Sequence, residues 1–290
     1  MTSPIAAAFL ALALVSLAGQ HPQPDPPMQA SGAEVHRVLV TNDDGIESLA
    51  LIQLVAALAS HGHEVVVSAP DSNRSGSSHS VASWRDGMTV REASVAGASL
   101  AVAVGGSPAD AVSYGILHLG AERPFDLVIS GINDGANVGD LSHYSGTVGA
   151  AMEAAYRGVP AIAVSQGGRT PDYRFTAEFT ARFAEQLWER GPRPGLVYSI
   201  NVPGSAAKDL VGVAPSPMGG SYLAAGGWTE TSTSDDGDRA KPQLGYTAEA
   251  PEGSDTEAYL KGNISITPLQ FDWTDRAALA DLATWELELE

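Results

Sequence analysis

Two adjacent carboxylates, Asp43 and Asp44, stand in the turn Asn42-Asp43-Asp44-Gly45, directly after the apolar run Val38-Leu39-Val40-Thr41. Carboxylates at the exit of a buried strand repel each other and lose hydration, so keeping both ionised requires a cation or strong hydrogen bonds. A hard divalent ion meets that requirement. Asp-Gly is also a favoured turn pair and Asp a favoured helix N-cap, so the turn alone is not specific.

Three further polar segments could complete a site. Residues 71–80 form a long, small-residue loop in which a Ser oxygen can serve as a hard ligand and Arg74 can meet a phosphate oxygen. The strand-like run 125–131 empties into Asn133-Asp134-Gly135, which placed elsewhere would be a plain turn. Ser145-Gly146-Thr147 precedes a helical run over 148–157, gathering backbone N–H groups and two hydroxyls at a helix N-terminus, a ready anion site. Ser107-Pro108-Ala109-Asp110 reads as a helix cap that turns Val112, Ile116 and Leu117 inward. His79 and His143 lie on the same loops, although a lone loop histidine is more often a solvated side chain.

The elements that must position these residues follow from periodicity. Residues 35–70 read as strand, helix, strand, with Leu51, Leu54, Val55 and Leu58 at helical spacing and Val65-Val66-Val67 as the second strand. Near-continuous apolar strands imply a sheet covered on both faces, hence a Rossmann-like α/β fold, mainly parallel, with helices on both faces. Loops at the carboxyl ends of its strands line the ligand crevice, where Asp43 and Asp44 fall. Residues 81–92 alternate about Asp86-Gly87 and read as a hairpin. Residues 159–165 and 197–201 read as buried strands joined by a helix over 175–190, and the core sheet is expected to end there. The stretch 214–261, rich in Gly, Ser, Thr and acidic residues, reads as an extended C-terminal hairpin or arm. A strand over 263–268 and a short helix with Leu279, Leu282 and Leu289 on one face follow.

Composition narrows the possibilities. The formal net charge of -18 leaves no basic stripe to track a nucleic-acid polymer. The absence of cysteine excludes thiolate ligands and thiol nucleophiles. A short apolar run over 5–18 ends in small residues and reads as a secretory signal spanning 1–18, followed by a disordered linker over 19–34 and one domain over 35–290. That leader implies a periplasmic or secreted protein, with a cytoplasmic one as the alternative. Nothing after it is long and apolar enough to span a bilayer.

Together these blocks resemble SurE, the survival-protein nucleotidases, from about Val38 to Leu269. They are Val40-Thr41-Asn42-Asp43-Asp44-Gly45-Ile46, Ala69-Pro70-Asp71 with Asn73-Arg74-Ser75-Gly76, Ser107-Pro108-Ala109-Asp110, Ser130-Gly131-Ile132-Asn133 with Gly135-Ala136-Asn137-Val138-Gly139, Ser145-Gly146-Thr147, and Ile266-Thr267-Pro268-Leu269. The resemblance implies a metal-dependent phosphatase acting on nucleoside monophosphates, with Asp43, Asp44, Ser75 and Asn133 as metal ligands. Two carboxylates and two neutral oxygens suit one magnesium or manganese ion per subunit. Asn42, Arg74, Asn137, Ser145, Gly146 and Thr147 are the residues expected against substrate. The chain departs from the commoner pattern at Ala136, where Pro is frequent, and at Tyr144; neither change removes a ligand. The resemblance also implies a homodimer or homotetramer.

The expected reaction is hydrolysis of a 5'-nucleotide by a metal-activated water, with Asp43 or Asp44 able to take a proton. Substrates such as 3'-nucleotides and short polyphosphate fit the same chemistry. A nicotinamide-binding dehydrogenase would need a Gly-rich loop where this chain has an acidic one. An aspartyl-phosphate phosphatase would space its acids as DxD. A non-catalytic metal- or nucleotide-binding module is the remaining alternative.

Overall fold

The computed structural model describes residues 34–168, 172–205, 207–234, 237–247 and 249–286. The expected signal segment, all of the linker except Glu34, and Leu289 lie outside them. Residues from Val35 onward form one compact unit.

The chain opens with β1 (Arg37–Thr41), α1 (Leu49–Ser60), β2 (Glu64–Pro70), a short helical turn α2 (Ser83–Asp86), β3 (Val90–Ala93), β4 (Leu100–Val104) and α3 (Pro108–Tyr114). It continues through β5 (Leu127–Asp134), α4 (Gly146–Tyr156), β6 (Ala161–Gln166), α5 (Arg174–Arg190), β7 (Leu196–Val202) and β8 (Gly212–Pro215). The hairpin β9 (Leu223–Ser234) and β10 (Gly237–Tyr246), then α6 (Asp255–Leu260), β11 (Asn263–Gln270) and α7 (Arg276–Leu282), complete it. Nine strands form one sheet in the order β3-β4-β2-β1-β5-β6-β7-β11-β8, parallel from β4 through β7.

Strand β1 shows why the sheet sits where it does, since all five of its residues are buried and their side chains alternate. Val38 and Val40 join α1 and α5 through Leu51, Leu54, Leu58, Ala181 and Ala184. Leu39 joins the opposite layer with Val112 of α3 and Val148, Ala151 and Met152 of α4. Each fully buried Leu or Val contributes about 1.5–3 kcal/mol, so β1 is fixed from both faces. The expected α/β fold with helices on both faces is what forms.

Four local expectations need correction. Residues 81–92 are not a hairpin: the buried Asp110 carboxylate accepts from the Ala82 and Ser83 amides and the Ser83 hydroxyl, which winds α2, and β3 pairs antiparallel with β4. Leu117 points to solvent because α3 runs into a π-helical turn over Gly115–Leu119, whose wider winding rotates it out of the core. The sheet does not end at β7: β11 adds antiparallel to it and β8 parallel to β11. The arm is shorter than 214–261, because β8 belongs to the sheet and α6 is buried against the body, leaving the β9–β10 hairpin.

Asp110 also completes a capping box on α3, its amide donating to Ser107 Oγ at 3.1 Å and its carboxylate accepting from the Ser107 amide at 2.9 Å. Burial opposes the Asp110 charge, but the bonds from Ser83 and Ser107 outweigh it and lower its pKa. A lowered folded pKa gives stability that is present above the ordinary carboxylate range and lost as pH falls through the folded value. Asp110→Ala is therefore expected to cost about 3 kcal/mol near pH 7, from several buried donors left unpaired. Urea unfolding would show the deficit narrowing in acid.

Candidate active site

Strand β1 leads to β2 and β4 on one side, while β5, β6 and β7 extend the sheet on the other. The crevice between the carboxyl ends of β1 and β5 is thus the topological switch point, where open α/β sheets bind ligands. The 42–45 turn emerges from β1 there, and Asn133 stands near the end of β5.

Asn42 shapes the turn. Its side chain donates to the Gly45 carbonyl at 2.9 Å and accepts from the Gly45 amide at 3.2 Å, and it is fully buried. Both polar ends are used within the turn, so Asn42 shapes the loop that carries Asp43 and Asp44. Asp43, 3% exposed, accepts from the Thr147 hydroxyl at 2.5 Å. Burial raises its pKa, opposed by that hydroxyl and by the backbone N–H groups of Thr147 and Gly146. The α4 N-terminus, expected to meet phosphate, is turned upon Asp43 by its Gly146 and Thr147 donors. Ser145 caps the helix by accepting from the Val148 amide at 3.1 Å and lines the cleft.

Asp44 accepts from Asn73 Nδ2 at 3.2 Å and from the Asp134 amide at 3.2 Å. Burial first, then the Asp43 charge, pushes its pKa up to about 6. A cleft of about 480 Å³ brings together Asp43, Ser75, Asn133, Asn137 and Ser145, while Asp44 borders the adjoining hollow with Asn73, Asp134 and Tyr173. Asn133 donates its amide to the Gly135 carbonyl at 2.7 Å, leaving its side-chain oxygen as the end available to a cation. Asn137 is buried, with Nδ2 donating to Ser165 Oγ at 2.9 Å and its backbone amide to Asn201 at 2.7 Å, so it forms wall.

The Arg74 amide donates to the Asp43 carbonyl at 2.6 Å and its guanidinium to Asp71 at 3.2 Å, while its Nε is buried without a partner. Ser77 Oγ is likewise buried and unpartnered. His79 and His143 do not line the carboxylate cleft: His79 bonds Glu153, and His143 packs edge-on against Trp273.

Among the described residues no group of three or more His, Asp and Glu side chains converges as a ligand set. Two mutually repelling carboxylates, with Ser75 and Asn133 oxygens on the cleft that Asp43 lines, are of the type that suits a hard divalent ion. Arg74, expected against phosphate, is not among the residues lining that cleft. Sequence reasoning missed three contributors. The Asp134 amide holds Asp44, and Tyr222 and Tyr246, at the root of the hairpin, line the cleft. Their signal was limited to aromatic residues bounding the arm.

An open α/β sheet with an acidic loop at its switch point and neutral oxygens on two neighbouring loops defines the class: an α/β protein with an acidic, oxygen-lined crevice at the carboxyl ends of its strands. The family model described as Survival protein SurE matches residues 38–224. A protein named 5'-nucleotidase SurE from Geobacter sulfurreducens is 38% identical over 257 residues, covering 86% of this chain and 94% of that one. Another of that name from Chloroflexus aggregans is 37% identical over 260 residues, covering 87% and 99%. The crystal structure of a SurE protein from Aquifex aeolicus superposes with a TM-score of 0.72 at 30% identity, over 85% of this chain and 98% of that chain. The chain belongs to the SurE family.

The raised Asp44 pKa has a signed consequence. A folded pKa above the unfolded one means that ionisation costs the metal-free fold stability as pH rises through about 6. An ion requires the carboxylate form, so Mn2+ affinity is expected to weaken at least about tenfold per pH unit below that value, with at least one proton released on binding there. Calorimetric titration at pH 5 and pH 7.5, in buffers of different ionisation enthalpy, reads both quantities; equal affinity would contradict it.

Proposed function

We propose that this chain is a metal-dependent 5'-nucleotidase that hydrolyses nucleoside monophosphates to nucleoside and phosphate, with magnesium or manganese held by Asp43, Asp44, Ser75 and Asn133. The decisive feature is the buried Asp43 carboxylate, held by the α4 N-terminus on the cleft shared with Ser75 and Asn133. When bound, the divalent ion supplies Lewis acidity toward a phosphate oxygen and lowers the pKa of water.

The chain's own residues do the rest. Thr147 and the first turn of α4 aim Asp43 and keep its charge tolerable in a buried position. Asn73 and the Asp134 amide orient Asp44. Ser145, on the cleft, offers its hydroxyl to the phosphate. Tyr144, Tyr222 and Tyr246 border the same cleft and give the nucleoside aromatic faces on which any base can stack. Export through the 1–18 segment and assembly as a dimer or tetramer are part of the proposal and rest on the sequence alone.

Metal-stripped protein is expected to release phosphate from 5'-nucleoside monophosphates only after magnesium or manganese is restored. Folded Asp43→Asn, which removes a charge from the site, is expected to lose at least about a hundredfold in kcat/KM, equivalent to about 2.7 kcal/mol. A panel including 3'-nucleotides and short polyphosphate ranks the substrates. Binding of metal and nucleotide without phosphate release would instead favour a non-catalytic binding module.

A further inference from the structure

Helix α4 grips two ligand-bearing loops. Its first turn holds Asp43 and meets Ser77, and the residues after it carry Ser78 and His79, the continuation of the loop that presents Arg74 and Ser75. This approach is close. A Cβ on Gly146 would stand 2.6 Å from Ser77 Oγ, and one on Gly149 would stand 2.8 Å from the His79 amide nitrogen. Ser78 adopts a left-handed φ of 53°, with its amide donating to the Tyr144 carbonyl at 3.2 Å and its hydroxyl to the His143 carbonyl at 2.6 Å. Backbone in that region costs about 1–3 kcal/mol and persists only where its surroundings enforce it.

Glu153 supplies a charged tether at the end of this contact. It lies seven residues beyond Gly146, about two turns along the helix, and is 3% exposed. A carboxylate buried mid-helix needs partners. One oxygen bonds His79 Nε2 at 2.7 Å, and the other accepts from Arg157 Nε at 2.7 Å; Arg157 in turn donates to Ser113 Oγ at 2.9 Å. Burial opposes its charge, but His79 and Arg157 overcome that and lower the Glu153 pKa. Neither Glu153 nor His79 lines the carboxylate cleft, so neither touches a ligand there.

We infer that Glu153 is a positioning residue for the metal site: through His79 it pins the 71–80 loop against α4 and thereby sets Ser75 and Arg74 at a fixed separation from Asp43. This rests on the reading of Ser75 as a ligand. Outer partners that orient metal ligands typically contribute 10–100-fold in metal affinity.

The test measures Mn2+ affinity of the folded, full-length chain by electron paramagnetic resonance, together with kcat and KM for a 5'-nucleotide at saturating Mn2+. The variants are Glu153→Gln, His79→Ala, their double variant, His79→Gln and Ser75→Ala. Glu153→Gln and His79→Ala are expected to weaken Mn2+ at least about tenfold, with KM rising and kcat at saturating Mn2+ changing little. The double variant is expected to be no weaker than the worse single one, since both remove one tether. His79→Gln, which can still donate to Glu153, is expected to recover most of the affinity. Should Glu153→Gln not fold, His79→Ala, on a partly exposed loop, decides. Unchanged Mn2+ affinity in folded His79→Ala, with Ser75→Ala weakened, would overturn the positioning role alone. Unchanged affinity in Ser75→Ala would overturn the ligand reading and the inference with it.

Discussion

A desolvated carboxylate on the N-terminus of a helix is the constraint around which this protein is arranged. Asp43 is buried at the end of the central strand, where its charge would be intolerable without compensation. Thr147 and the first amides of α4 provide part of it, which requires α4 to lie across the exit of β1. That placement depends on the layer in which Leu39, Val112, Val148 and Met152 interlock. The compensation is incomplete: the Asp43 pKa stays raised, and burial together with the Asp43 charge raises that of its neighbour Asp44.

The same helix ties catalysis to packing. Gly146 and Gly149 leave room for the Ser75 loop to lie on α4, and Glu153 anchors its far end. Asp43 and the loop that carries Ser75 thereby share one rigid support, as a metal site held to a fraction of an ångström would require. The opposite wall is looser in origin. Tyr222 and Tyr246 come from the root of an exposed hairpin, so residues far from the first strands in sequence complete the cleft.

Much of this was legible in the sequence because local chemistry determines it. Apolar runs such as Val38-Leu39-Val40 identify buried strands, and the acidic pair after one of them, unspecific alone, gains meaning from the polar blocks that follow. The Ser107 cap and the α4 start were readable from the same local rules. What escaped depends on contacts between distant segments. Asp110 was visible as a capping residue, but its hold on Ser83, which replaces a hairpin by a helical turn, joins residues 27 apart. The addition of β11 beside β7 likewise depends on tertiary pairing. Asn42, Gly146 and Thr147 were placed at the site by their blocks, yet their polar groups serve the carboxylate loop. Residue type alone does not distinguish a group that touches ligand from one that holds the group that does.

The most direct measurement is the anomalous scattering of manganese in crystals of the full-length chain soaked at neutral pH. One peak per subunit is expected, with oxygens of Asp43, Asp44, Ser75 and Asn133 within about 2.5 Å. A peak elsewhere, or one at the acidic pair that leaves Ser75 and Asn133 outside ligand distance, would contradict the site described.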